Sequence, residues 1–175
     1  MSEKKAEYLL SQHLDIMRLD RRRVTCGVVS LLMLMRYRQL NGANQDQTLP
    51  DLDKLDRVGV NRRAYKPGQG WSHSGLVGLA KIYGFKRSCS YDLADRPLGQ
   101  TLTELRKHLN SGPVIASVYF KYRSGQGGHL LVLEQLTRRQ VTVWDPDSHS
   151  RSKIRYSLSA ERFLPAWKKR FIVIY

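Results

Sequence analysis

Apolar residues follow two different periods along this chain. Through the first hundred or so positions they recur at helical spacing. Leu9, Leu10, Leu14 and Met17 predict a helix over residues 7–17. From Cys26 to Met35 the chain is apolar nearly all round, broken only by Ser30, which predicts a buried central helix. Asn41 and Gly42 are its stop signal, and a polar linker fills 42–48. Leu52, Leu55 and Val58 suggest a short helix ending at Gly59. Ser72 or Ser74 opens another, with Leu76, Leu79, Ala80 and Tyr83 on one side and Gly84 as its end. Thr101-Leu-Thr-Glu104 reads as a capping box that starts a helix running through Leu105 and Leu109 to Gly112.

Beyond residue 112 the pattern becomes that of strands. Residues 113–120 are rich in Val, Ile and aromatics, 129–135 and 140–144 predict a hairpin across Thr137-Arg138-Arg139, and 154–157 and 171–175 add strands. A short helix at 159–164 separates the last two and ends at Pro165. Helices first and antiparallel strands later predict an α+β fold, with the N-terminal helices packed on a C-terminal sheet. No repeat or composition break divides the chain, so residues 1–175 are expected to form a single domain.

Composition narrows the function classes. With 41% hydrophobic and 26% charged residues the chain is globular. Its longest apolar run, 28–35, is far short of the roughly 20 residues that span a bilayer. The N-terminus lacks the apolar segment of a signal peptide, so the expected location is cytoplasmic. Two cysteines, Cys26 and Cys89, are too few for a disulfide scaffold and are expected as free thiols. Cys89 reads as a core or strand residue. Thirty Lys plus Arg against fifteen Asp plus Glu give a net charge of +15, which would attract an acidic partner, nucleic acid or an anionic surface. The basic residues are dispersed, however. No helix-turn-helix, zinc spacing or RNP-like strand accompanies them, so nucleic acid is not the expected main partner. No Cys/His cluster has ligand spacing, and neither metal nor cofactor is expected.

Three residues stand in chemically suggestive places. Cys26 opens the central helix, whose N-terminus favours a thiolate and offers free N–H groups to an oxyanion. It could equally be a small core residue. His129 begins a strand after Gly125-Gln-Gly-Gly128, a glycine-rich approach that lets a ligand come close to the backbone. It could also be an ordinary loop histidine. Asp145 ends the neighbouring strand, where it could accept the imidazole N–H or simply form an Asp-Pro turn.

In order, these segments resemble the C39-like peptidases, a branch of the papain-like cysteine proteases. The resemblance runs from about Leu19 to Tyr175. It rests on Thr-Cys26-Gly-Val-Val-Ser-Leu-Leu-Met, Gly-Leu-Val-Gly-Leu-Ala-Lys-Ile-Tyr-Gly84, the stretch from Thr101 to Ile115, Gly-Gly-His129-Leu-Leu-Val-Leu, Val-Thr-Val-Trp-Asp145-Pro, and the closing stretch from Tyr156 to Trp167. It implies a papain-like fold with Cys26 as nucleophile, His129 as base and Asp145 as the group that orients it. A peptide or amide bond would be cleaved through an acyl-enzyme. The family's glutamine shortly before the cysteine is replaced here by Arg18-Leu19-Asp20, and the nearest glutamine is Gln12, fourteen residues upstream. Arg18 is therefore the candidate oxyanion donor, since guanidinium carries five N–H groups. The resemblance also sets Trp71 and His73 on the cleft rim, beside Gly128, although Ser72 as a helix cap next to a packing aromatic explains the same pattern. A peptide or protein is the implied substrate. An acyltransferase, transglutaminase or deamidase would use the same triad. A non-catalytic binding module on this fold would leave Cys26 unreactive.

Overall fold

The computed structural model describes residues 7–175. Its centre is α1, Cys26–Leu40, in which every residue from Gly27 to Met35 is buried. That burial is what a helix apolar on all sides requires. Ser30, its one polar interruption, donates its hydroxyl to the Leu130 carbonyl at 3.1 Å. Helices α2, Leu52–Asn61, and α3, His73–Ile82, pack against α1. Asp51 caps α2 by accepting from the Lys54 N–H, and Ser72 caps α3 by accepting from the Gly75 N–H. A small hairpin, β1 (Tyr65–Lys66) and β2 (Gly70–Trp71), joins these two helices.

The remaining elements are β3 (Cys89–Asp92), α4 (Leu98–Leu109), β4 (Val114–Tyr119), β5 (Gly128–Leu136), β6 (Gln140–Trp144), β7 (Arg155–Ser159), α5 (Ala160–Phe163) and β8 (Trp167–Val173). The strands form one six-stranded antiparallel sheet in the order β3-β8-β4-β5-β6-β7. Ile115, Leu130, Val132 and Ile172 join the core with α1 to α3, whereas Ala116, Leu131, Leu133 and Phe171 join a second core with α4 and α5. The alternation is that of a sheet covered on both faces. The apolar run 130–133 therefore serves two cores.

Close approach explains two glycines. A Cβ on Gly27 would lie 2.5 Å from Trp71 Cγ, and one on Gly59 would lie 2.5 Å from Trp71 Cζ3. The indole thus fills the gap between α1 and α2, and its Nε1 donates to the Val24 carbonyl at 2.6 Å.

Three expectations from the sequence change. Residues 7–17 form turns, not a helix. Leu9 and Leu10 are buried, but Leu14 and Met17 are 43% and 80% exposed, so the spacing never becomes one apolar face. Polar side chains bind this backbone instead. The Ser11 N–H donates to Asp15 Oδ2 at 2.7 Å, and the Ser11 hydroxyl donates to the Ser148 carbonyl. Helix α4 begins at Leu98 rather than Thr101. The Thr101 hydroxyl donates back to the Pro97 carbonyl at 2.8 Å, as a residue already inside a helix can. The last strand begins at Trp167, earlier than expected, and β8 lies between β3 and β4. Among the described residues no helix is long and apolar enough to cross a membrane.

Candidate active site

Cys26 is the first residue of α1 and is partly exposed. Its N-cap, Thr25, makes no side-chain cap bond, and the Thr25 hydroxyl is buried without a partner. The first N–H groups of a helix have no intrahelical acceptor, and here no side chain caps them. They leave a positive end pointing at the thiol.

His129 is the second residue of β5, and Asp145 follows the last residue of β6. Val132 pairs with Trp144. Continued by one step, this register sets Asp145 across from Leu131, two positions from His129, so the two face the same way. His129 Nε2 donates to Asp145 Oδ1 at 2.7 Å. Asp145 is itself firmly held. Its Oδ1 also accepts from the Asp147 N–H at 3.0 Å, and its Oδ2 accepts from the Tyr156 hydroxyl at 2.9 Å. Tyr156 and Tyr122 share a further hydrogen bond of 2.8 Å.

Burial alone would make the His129 ring less basic. Hydrogen bonding to Asp145 and Cys26, and their charges, override it and raise the pKa to about 10. Burial likewise opposes an ionised Asp145, but hydrogen bonding and the charge of His129 hold the carboxyl below its usual range. Both shifts favour an imidazolium bound to a carboxylate. Burial and the Asp145 charge push the Tyr156 phenol well above its usual value, so it remains a donor. With Nε2 committed to Asp145, Nδ1 is the ring nitrogen left for Cys26.

Cys26 and His129 sit where two lobes of a cleft meet. One lobe, about 490 Å³, is lined by Arg23, Trp71, His73, Gly128, Lys168 and Arg170 among others. The other, about 530 Å³, is lined by Gln12, His13, Lys121, Asp147 and His149 among others. The structure thus brings Trp71, His73 and Gly128 to the walls around Cys26 and His129. The His73 imidazole is made less basic, first by burial and then by Arg170. Among the described residues no cluster of His, Cys, Asp and Glu could hold a metal ion.

Arg18 does not join them. It is half exposed, pairs with Asp20 at 2.9 Å, and lines neither lobe. Gln12 occupies the cleft instead. It is 3% exposed, its Nε2 donates to Asp147 Oδ1 at 2.7 Å, and its backbone N–H donates to the Pro146 carbonyl at 2.9 Å. The separation of fourteen residues hid it. Residues between Gln12 and Cys26 make an excursion pinned by Arg21, which grips buried Asp56 with two bonds of 3.0 and 2.9 Å. Arg22 ties the same loop to the Ile16 carbonyl at 2.9 Å. The chain then returns to the cleft.

Comparison with known proteins agrees with this architecture. The model of the Peptidase_C39 like family matches residues 8–171, a span that includes Gln12. A structure described as a C39-like peptidase from Bacillus anthracis is 20% identical, with a TM-score of 0.64 over 97% of this chain and 95% of that one. The peptidase domain of Streptococcus ComA, a bifunctional ABC transporter of a quorum-sensing pathway, is 21% identical, with a TM-score of 0.56 over 87% and 91%. A double glycine motif protease from an AMS/PCAT transporter, solved with its leader peptide, is 20% identical, with a TM-score of 0.55 over 90% and 87%. At such identities these likenesses establish the fold, which is papain-like. No curated protein matches the chain.

Proposed function

Because the chain belongs to the Peptidase_C39 like family, we propose that it is a cysteine peptidase or amidase acting through Cys26, His129 and Asp145. One observation carries the reading: an imidazole held at 2.7 Å by a half-buried carboxylate, in the same cleft as a thiol on an uncapped helix N-terminus.

The Cys26 thiolate attacks the substrate carbonyl carbon, and the π electrons move to the oxygen. In this reading the Cys26 backbone N–H and the Gln12 amide receive that oxyanion. The Gln12 nitrogen has two hydrogens, and Asp147 takes one, which fixes the nitrogen end and leaves the other free. Collapse of the intermediate breaks the C–N bond, and the His129 Nδ1 proton goes to the departing amine. Water then adds to the thioester, giving its proton to His129, and the C–S bond breaks to release the acid and the thiolate. Asp145 keeps the ring oriented throughout and stabilises its positive charge whenever the ring is protonated. The double glycine protease bound to its leader peptide supports a peptide as the substrate class.

The test is the pH dependence of iodoacetamide alkylation at Cys26, read by peptide mass spectrometry in wild type and His129→Ala. Fast labelling at pH 6 that disappears in the variant is expected. Labelling that rises only near pH 8 to 9, as for a free thiol, and ignores the substitution would refute the reading.

A further inference from the structure

The cleft lobe bounded by β2 and β8 has an unusual charge pattern. Arg23, Lys168 and Arg170 line it, and no carboxylate does. Among the described residues Arg23 and Lys168 enter no ion pair. Arg170 gives only its Nε to Asp92, at 2.9 Å, leaving its terminal nitrogens unpaired. Lys168 is half-buried on β8 with its ammonium over the Tyr119 ring at 4.5 Å. A Cβ on Gly128 would lie 3.4 Å from that Nζ, so the charge is beside the residue that precedes His129. Cations gathered in a partly desolvated wall repel one another, and burial together with Arg170 already weakens the Lys168 ammonium's hold on its proton. A carboxylate arriving in this lobe would remove that repulsion.

We propose that Lys168, with Arg23 and Arg170, forms an anion-binding subsite for a carboxylate of the peptide substrate. The inference rests on the peptidase reading above and specifies its substrate as acidic. An extended peptide advances roughly 3.3 Å per residue, so a charge beside Gly128 selects a carboxylate about one to three residues from the scissile bond. The wider excess of +15 then attracts such substrates toward the cleft from a distance.

The experiment uses an N-acetylated, C-amidated decapeptide library randomised at every position. Wild type, Lys168→Gln and Lys168→Glu are incubated with it and the products sequenced by mass spectrometry. In parallel, the library is passed over immobilised Cys26→Ala protein, with and without the Lys168 changes, and the retained peptides are sequenced. Asp and Glu should be enriched about ten- to a hundred-fold, the range of a charge-assisted hydrogen bond, at one position relative to the cut. The preference should fall in Lys168→Gln and turn toward Lys and Arg in Lys168→Glu. Arg23→Glu should weaken it independently. Absence of cleavage with acidic peptides still retained by Cys26→Ala would defeat the peptidase reading and keep the subsite. A repeat with free C-termini separates a chain-terminal carboxylate from an acidic side chain. Retention without acidic enrichment in either library, or enrichment untouched by both Lys168 substitutions, would overturn the proposal.

Discussion

Replacing Gly27 by Ala sets two effects against each other, and the geometry decides between them. Helix propensity favours alanine over glycine by up to about 1 kcal/mol. The new methyl carbon, however, would stand 2.5, 2.7 and 2.9 Å from three atoms of Trp71. The closest is about 0.9 Å inside the 3.4 Å at which ordinary contact begins. The indole cannot retreat, because its far edge abuts Gly59 and its Nε1 is fixed to Val24. Overpacking of this kind costs about 1–3 kcal/mol. Taking the upper end for a ring blocked on both sides, the net loss is about 2 kcal/mol, or a Tm drop of roughly 4–8 °C for a chain of this size. Gly78 in α3 supplies the internal control: a Cβ there meets nothing within 4 Å, so Gly78→Ala should raise stability by about 0.5–1 kcal/mol. Thermal unfolding followed by circular dichroism reads both variants, and tryptophan emission reports Trp71 in the first. Gly27→Ala melting at or above the wild-type temperature would refute the reasoning.

Other expectations follow from the same geometry. Gln12→Ala should lower peptide turnover by about 100- to 1000-fold, the usual effect of one oxyanion donor, and leave iodoacetamide alkylation of Cys26 unchanged, since that reaction forms no oxyanion. Slowed alkylation would instead place Gln12 in thiol activation. The His129 pKa is raised from 6.5 to about 10, so its contribution to stability is complete below pH 6.5 and is lost as pH climbs toward 10. Urea unfolding should therefore show the gap between wild type and His129→Ala shrinking over that window. Parallel curves would remove the linkage. Asp145, held below its usual range, contributes the opposite limb, present above about pH 4 and lost on acidification. Tyr156→Phe removes one of the bonds holding Asp145, and should cost about 1–2 kcal/mol in denaturant unfolding while slowing Cys26 labelling at pH 6. An unchanged labelling rate would show that this phenol does not position the carboxylate.

The central helix was legible because nothing but burial accommodates a ten-residue stretch with Ser30 as its one polar position, and five of the six strands of the large sheet were legible through their aromatic and β-branched runs, the short β3 being the exception. Helix α3 was legible through Ser72 and Gly84, each acting at one end. What failed was local. Leu9, Leu10, Leu14 and Met17 have helical spacing, yet the segment is organised by contacts with residues 146 to 151, which no short window contains. The candidate site divides in the same way. Cys26, His129 and Asp145 are marked by their own neighbours, a helix start and two strand ends. Gln12 is marked only by where the chain comes back to. The pinning of the excursion by Arg21 and Asp56 depends on a partner thirty-five positions away. The β1–β2 hairpin escaped notice because each strand has only two residues.

The insertion of β8 between β3 and β4 has a consequence for biosynthesis. At about 5–20 residues per second, translation separates Cys26 from His129 by roughly 5–21 s. Throughout that interval the thiol has emerged without its base, and the sheet that carries the base still lacks an interior strand. A ribosome-bound chain therefore bears an ordinary cysteine. The proposed triad stands on a complete sheet only once β8 has slotted into its middle, so the order of synthesis would keep Cys26 apart from its base while other polypeptides are being made around it.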